Sequence, residues 1–411
     1  MEPVLGWAAL SRAALNRAEN EMAGDAEGMR DEVGVLTLHT GYANRFFPGT
    51  SVQQTRLRYA LFVPWLVQGL LASSPRSGSP RKALAEAELA LIRQLPPDRG
   101  AGTIGRDRAK AGKLVSIPPS ESYWVALTRW GILAQEPMLF AAATRSDMFE
   151  RWKQWPAPRE PGSGLRDEDK QLLTTTRPLF HRDLPDPPKE LLKGKALTFA
   201  VEGRERGFLR NRLMETRRDD GQPSFLSRLV FESIVPSAAQ QPWSKAMLDV
   251  ADAADRAALL RARDSAAVAA VVRAAYNAAV ETLRDRDEKG AMKCTKHREH
   301  LVSTVEEFGQ RATALDLGAI STDGIAMGGL RPVLGHVQGW LRSTPDAKVS
   351  PSLIRVLADW EYQRKDKRAR LPQSGAGLDA RREWRAEETR VSEAIAYRWP
   401  LIRQLLTDAS G

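Results

Sequence analysis

The sequence predicts an all-α, irregular multi-helix fold with little or no β-sheet. Three observations carry this expectation. Ala and Arg are heavily used and β-branched residues are sparse, a composition that favours helix. Apolar residues recur at helical spacing in most segments, and none shows a convincing period-two alternation. Several of these segments open at a Ser or Pro and stop at prolines.

Taken in order, Ser11 is a candidate N-cap for a helix carrying Ala13, Leu15, Ala18 and Met22. A strong helix follows Phe46-Phe47-Pro48-Gly49-Thr50-Ser51. Leu57, Leu61, Val63 and Leu66 make it too apolar for a surface helix, and Pro64 should kink it. A third helix covers Lys82 to Leu95 and stops at Pro96-Pro97. Gly100 to Gly112 reads as loop and short helix. Pro118-Pro119-Ser120 opens a helix with Tyr123, Trp124, Leu127 and Trp130, and another short one holds Met148, Phe149, Trp152 and Trp155. Prolines then crowd the chain from Pro156 to Pro188, which marks a linker or surface excursion. Helix resumes at Thr198 and runs through Leu213. Trp243 to Arg286 is Ala-rich and reads as an antiparallel helix pair broken near Asp264. Val302 to Leu317 is helical, and Gly318 to Gly335 is loop-like. Ser350-Pro351 supplies an N-cap and first-turn proline for a helix reaching about Arg370. Arg381 to Leu406 closes the chain as one long or two shorter helices. The expected domains are 1–155, a proline-rich linker 156–189, and 190–411, the last open to a further split near 290–330.

Composition narrows the function classes. The 411 residues are 42% hydrophobic and 27% charged, which suits a globular chain with ordinary cores. The formal charge of +10 raises affinity for polyanions, nucleic acid among them. A single cysteine, Cys294, excludes an internal disulfide and makes the cytoplasm the expected compartment. The N-terminus lacks the pattern of a signal peptide. The longest apolar run, Tyr59 to Ala72, is too short to span a bilayer, so no membrane partner is expected.

Enzymatic signatures are mostly absent: there is no phosphate-loop motif, no H-E-x-x-H and no G-x-S-x-G. Gly100-Ala101-Gly102-Thr103-Ile104-Gly105 fits G-x-G-x-x-G formally, but no strand precedes it, so no cofactor is expected. Cys294, His297 and His300 fall within seven residues, with cations between them and no second half-site, so no metal is expected either. The densest motif is Phe46 to Tyr59. There Thr50 or Ser51 could cap a helix whose first-turn N–H groups, with Gln54, Arg56 and Arg58, hold an anion. The alternative is that both arginines tie the helix to acidic neighbours. Arg106 stands near a glycine-rich turn and is a further phosphate candidate. Arg364, Lys365, Lys367, Arg368 and Arg370 put five cations in seven residues, with Arg364 and Arg368 expected on one helix face.

Leu5-Gly6-Trp7, Phe47-Pro48-Gly49-Thr50-Ser51, Gln54-Thr55-Arg56-Leu57-Arg58-Tyr59 and Leu61-Phe62-Val63-Pro64-Trp65 then read together. With Ser122-Tyr123-Trp124, Lys367-Arg368-Ala369-Arg370-Leu371 and Tyr397-Arg398-Trp399, they resemble a bacterial family known only as a domain of unknown function. The resemblance runs nearly end to end, and departs in the proline-rich middle section and at Gln373 to Gly377. It implies a phage-defence setting beside helicases, phospholipase D-like proteins and methyltransferases, and supplies no catalytic residues. The expectation is therefore a non-enzymatic antiphage subunit that binds DNA or a DNA-processing partner such as a helicase or nuclease. A pure protein–protein assembly subunit and a cryptic metal-dependent nuclease are the alternatives.

Overall fold

A computed structural model describes residues 33–73, 79–98, 100–136, 141–142, 144–154, 179–290, 294–344 and 346–411. The fold is all-α and irregular. The strands among these residues are a two-residue antiparallel pair, in which Gln135 faces Ala142 and Glu136 faces Ala141. The helix expected after Ser11 and most of the proline-rich section lie outside the described residues. No described helix is long and apolar enough to cross a membrane.

The chain forms two compact units, each assembled from distant segments. One joins residues 33–43 to Pro242–Tyr397; the other joins Asn44–Gln241 to Arg398–Gly411. The partition is thus not the N-to-C succession of 1–155, 156–189 and 190–411. Its physical reason is side-chain packing between sequence-remote segments. Tyr42 meets Tyr397 edge-on at 5.5 Å in the first unit, and Phe47 packs on Trp399 at 5.9 Å in the second.

The first unit is organised by one helix, Ala253–Asp287. Asp252 caps it, accepting from the Asp255 N–H at 2.7 Å. It contains neither glycine nor proline, so nothing interrupts it near Asp264; the break within Trp243 to Arg286 falls instead at 251–252, after a short helix, Lys245–Val250. Ala266, Ala267, Ala269, Ala270, Ala274 and Ala275 are buried, so its middle is covered on every side and small side chains let neighbouring helices approach. Lys296–Ala314 packs along it, and Leu330–Ser343 and Pro351–Lys365 complete the layer. Gly318 to Gly335 is not wholly loop: it holds a short 3-10 helix, Ala319–Asp323, and the start of Leu330–Ser343.

Buried carboxylates fasten these helices. Glu281 is fully buried and accepts from the N–H groups of His297 (3.2 Å) and Arg298 (2.9 Å), the exposed first-turn donors of the next helix. Asp323 accepts from the Tyr42 hydroxyl at 3.0 Å and from Arg261 Nε at 2.7 Å. Burial, reinforced by Asp323, raises the Tyr42 hydroxyl well above its ordinary pKa.

The second unit is built round Tyr59–Ser73, with Pro64 inside the helix and Leu61, Phe62 and Val63 fully buried. Pro80–Gln94 packs against it, stopping just before Pro96-Pro97 as expected. Glu88 on that helix is buried and accepts from the Ser120 N–H at 2.7 Å. Burial pushes its carboxyl up to about 7, against the opposing effect of Ser120. The folded state therefore holds this proton more tightly than the unfolded chain, and the stability this contributes is lost as pH rises from 4.5 through about 7. Glu88→Gln is expected to raise the melting temperature at pH 8 and leave it nearly unchanged at pH 4, by calorimetry across that range. A variant less stable than the parent at pH 8 contradicts this.

Candidate functional site

Between Phe46, which ends helix Leu36–Phe46, and Tyr59 the chain is a loop held from within, not the capped helix start that Thr50 and Ser51 suggested. The helix begins only at Tyr59. Thr50 donates its hydroxyl to the Phe47 carbonyl at 2.7 Å, and Ser51 Oγ accepts from the Gln53 N–H at 3.3 Å. Gly49 adopts φ +82°, and a Cβ there would meet Trp130 Nε1 at 2.7 Å, so only glycine fits. Gln54 Nε2 donates to the carbonyls of Gly49 (3.0 Å) and Ser122 (3.1 Å). The main-chain donors offered to an anion are occupied. Thr55 and Arg56 N–H meet the buried Tyr123 hydroxyl at 2.9 and 3.1 Å, and Leu57 N–H meets Asp408 Oδ2 at 2.9 Å. The tyrosine hydroxyl returns a bond to the Arg56 carbonyl, and burial raises its pKa beyond the ordinary range.

Both arginines of the motif are committed to carboxylates. Arg56 donates from Nε and Nη2 to Asp408, at 2.9 and 2.8 Å, and from Nη1 to the Ala101 carbonyl at 3.0 Å. Arg58 donates from Nε and Nη2 to Glu205, at 2.8 and 2.7 Å, and from Nη1 to the Thr198 carbonyl at 2.8 Å. Each fork is bidentate and each third nitrogen is capped, so little donor capacity remains for phosphate. Arg106 is similar: it pairs with Asp107 at 3.0 Å and donates to the Pro97 carbonyl. Arg56 and Arg106 border a cavity of about 740 Å³ with Gly102, Thr103 and Asp98, but their guanidiniums are already engaged. Thr50, Ser51, Gln54, Arg56, Arg58 and Arg106 are therefore the scaffold of the second unit.

The C-terminal cations are arranged differently. The helix expected to reach Arg370 ends at Lys365, because Asp366 adopts φ +50°. A 3-10 turn, Asp366–Arg368, follows. Arg364 and Arg368 therefore do not share a helix face. Arg364 lies over the Trp360 ring at 5.7 Å, and Lys365 pairs with buried Glu361 at 3.1 Å. Glu361 also accepts from the Tyr276 hydroxyl (2.5 Å) and from the N–H groups of Arg370 and Leu371 (both 2.9 Å). One buried carboxylate thus fixes the basic turn to the long helix.

Beyond helix Gly375–Arg382 the chain is irregular from 383 to 398, where continued helix was expected. This strap has no ladder of its own, so other groups must satisfy its carbonyls. Lys296 Nζ donates to those of Glu387 (3.1 Å) and Thr389 (2.8 Å). His297 Nε2 meets Ala386 O at 3.1 Å, and His300 Nε2 meets Ser392 O at 2.9 Å. Arg284 reaches the Trp384 carbonyl, and Arg273 reaches that of Glu393 at 2.5 Å. The Cys294 to His300 cluster is thereby explained: its imidazoles hold the strap. Burial lowers the His297 pKa and keeps the ring neutral.

Turn, strap and long helix enclose a cleft of about 940 Å³. Arg273, Tyr276 and Asn277 line it from the helix, Lys367, Arg368 and Arg370 from the turn, and Arg385, Arg390 and Ser392 from the strap. Six lining residues are basic against three acidic, Asp379, Glu383 and Glu388, so the cleft is net cationic. Lys367, Arg368, Arg385 and Arg390 are all exposed. Among the described residues, no side-chain hydrogen bond or ion pair engages these four. The sequence reading missed Arg273, Arg385 and Arg390 because Glu383, Glu387 and Glu388 interrupt the strap's charge, and Arg273 stands in an alanine-rich run.

A model described as a family of unknown function (DUF6361) matches residues 17–303, more than half of the chain. The chain belongs to that family. No curated protein and no solved structure matches it. The DUF6361 match includes Phe46 to Tyr59 and the cleft wall at Arg273, and ends before the turn and strap.

Engaged and available arginines should separate on unfolding. Arg56→Ala leaves Asp408, 2% exposed, buried without its partner and is expected to cost about 3 kcal/mol in urea unfolding. Arg390→Ala is expected to stay within about 0.5 kcal/mol of the parent. Equal losses would contradict the division.

Proposed function

We propose that this DUF6361 protein is a nucleic-acid-binding subunit, acting through the cleft between turn and strap. One observation carries the proposal: Lys367, Arg368, Arg385 and Arg390 line one cleft with no carboxylate partner among the described residues. A surplus of like charge gathered in one cleft destabilises a fold unless a polyanion uses it. Arginine suits this role, because its planar fork binds phosphate oxygens bidentately. The turn and strap are each pinned through main-chain groups, so their side chains project without needing to move on binding. The role proposed is binding. The antiphage setting implied by the resemblance is compatible with such a subunit.

Binding should depend steeply on salt. If the four cations each neutralise one phosphate of a single strand, log K against log salt has a slope of about −3. Lys367→Glu with Arg368→Glu is expected to lower affinity for a labelled oligonucleotide at least about tenfold at about 0.1 M salt, and to flatten that slope. Fluorescence anisotropy reads both. Unchanged affinity in the double variant removes the cleft from the proposal.

A further inference from the structure

The cleft holds more than cations. Glu383 and Glu388 line it and are exposed, and no hydrogen bond or ion pair engages their carboxylates among the described residues. Asn277, half-buried on the long helix, adds a side-chain amide engaged by no partner there. Cations and carboxylates thus share one cavity without pairing with each other. A groove that only tracks phosphates gains nothing from carboxylates, which repel them. A ligand that supplies both anions and hydrogen-bond donors uses every group present.

We infer that the ligand is single-stranded nucleic acid, with phosphates on Lys367, Arg368, Arg385 and Arg390 and base edges turned toward Glu383, Glu388 and Asn277. This rests on the nucleic-acid reading above and narrows it. Carboxylates accept from exocyclic amino groups such as cytosine N4, and an amide pairs in both directions with adenine. In a duplex these groups lie on the floor of the major groove, where the walls of a concave cleft do not reach them. An unpaired strand can splay its bases inward.

The test compares three probes of equal length at fixed salt with the full chain: a mixed-sequence single-stranded DNA, an abasic single strand with the same phosphates, and a duplex. The base-bearing strand is expected to bind at least about tenfold tighter than the other two, the discrimination of one good base contact. Asn277→Ala with Glu383→Ala and Glu388→Ala is expected to bring the three within about twofold of each other. Circular dichroism checks that this variant stays folded. As a second route, free cytidine and adenosine should compete for the parent better than abasic sugar phosphate does. If all three probes bind alike and all are lost in Lys367→Glu with Arg368→Glu, the cleft reads phosphate alone: the inference falls and the nucleic-acid reading stands. If no probe binds, or polyglutamate competes as well as oligonucleotide, both fall.

Discussion

The carboxylate of Glu361, buried in the first unit, is the group on which the candidate site depends. It collects the Tyr276 hydroxyl, the Lys365 ammonium and two main-chain N–H groups from the turn that follows its own helix. A buried charge is costly unless every lone pair finds a donor. Here that requirement draws Arg370 and Leu371 back against Glu361 on the preceding helix, and Asp366 takes an unfavourable left-handed φ. The turn then presents Lys367 and Arg368 outward. Truncating the carboxylate would release the turn even though it touches no ligand.

The same chemistry recurs and sorts the chain's many arginines into two populations. Asp408 and Glu205 in the second unit, and Asp323 and Glu281 in the first, each take a guanidinium from another segment. These arginines act as cross-links whose charge is spent inside the fold. Arg385 and Arg390 differ because their strap is anchored through its carbonyls by Lys296, His297 and His300, leaving these two guanidiniums uncommitted among the described residues. Net charge alone cannot distinguish the populations; hydrogen-bond geometry can.

Much of the architecture was legible in the sequence, and the exceptions have physical causes. Helix Pro80–Gln94, the Ser350-Pro351 cap and the burial of Leu61 to Val63 follow from local periodicity and capping. The 35-residue helix was misread as a pair because charges at Arg261 to Asp264 mimic a break, although no helix-breaking residue stands there. The Phe46 to Tyr59 motif reads locally as a helix cap. Its loop form depends on Tyr123, Asp408 and Arg398, whose positions no spacing rule supplies. The basic run from Arg364 was legible as a cluster. The cleft it lines was not, because it needs Arg273, about 100 residues upstream, and a strap with no periodic pattern.

Hydrogen–deuterium exchange on the intact chain, with and without a single-stranded oligonucleotide, tests the central claim most directly. The expected result is slowed exchange at residues 366–371 and 384–392 together, with no change across 47–58. Protection of 47–58 with none at the turn and strap would contradict it, and would place the ligand on the loop that scaffolds the second unit.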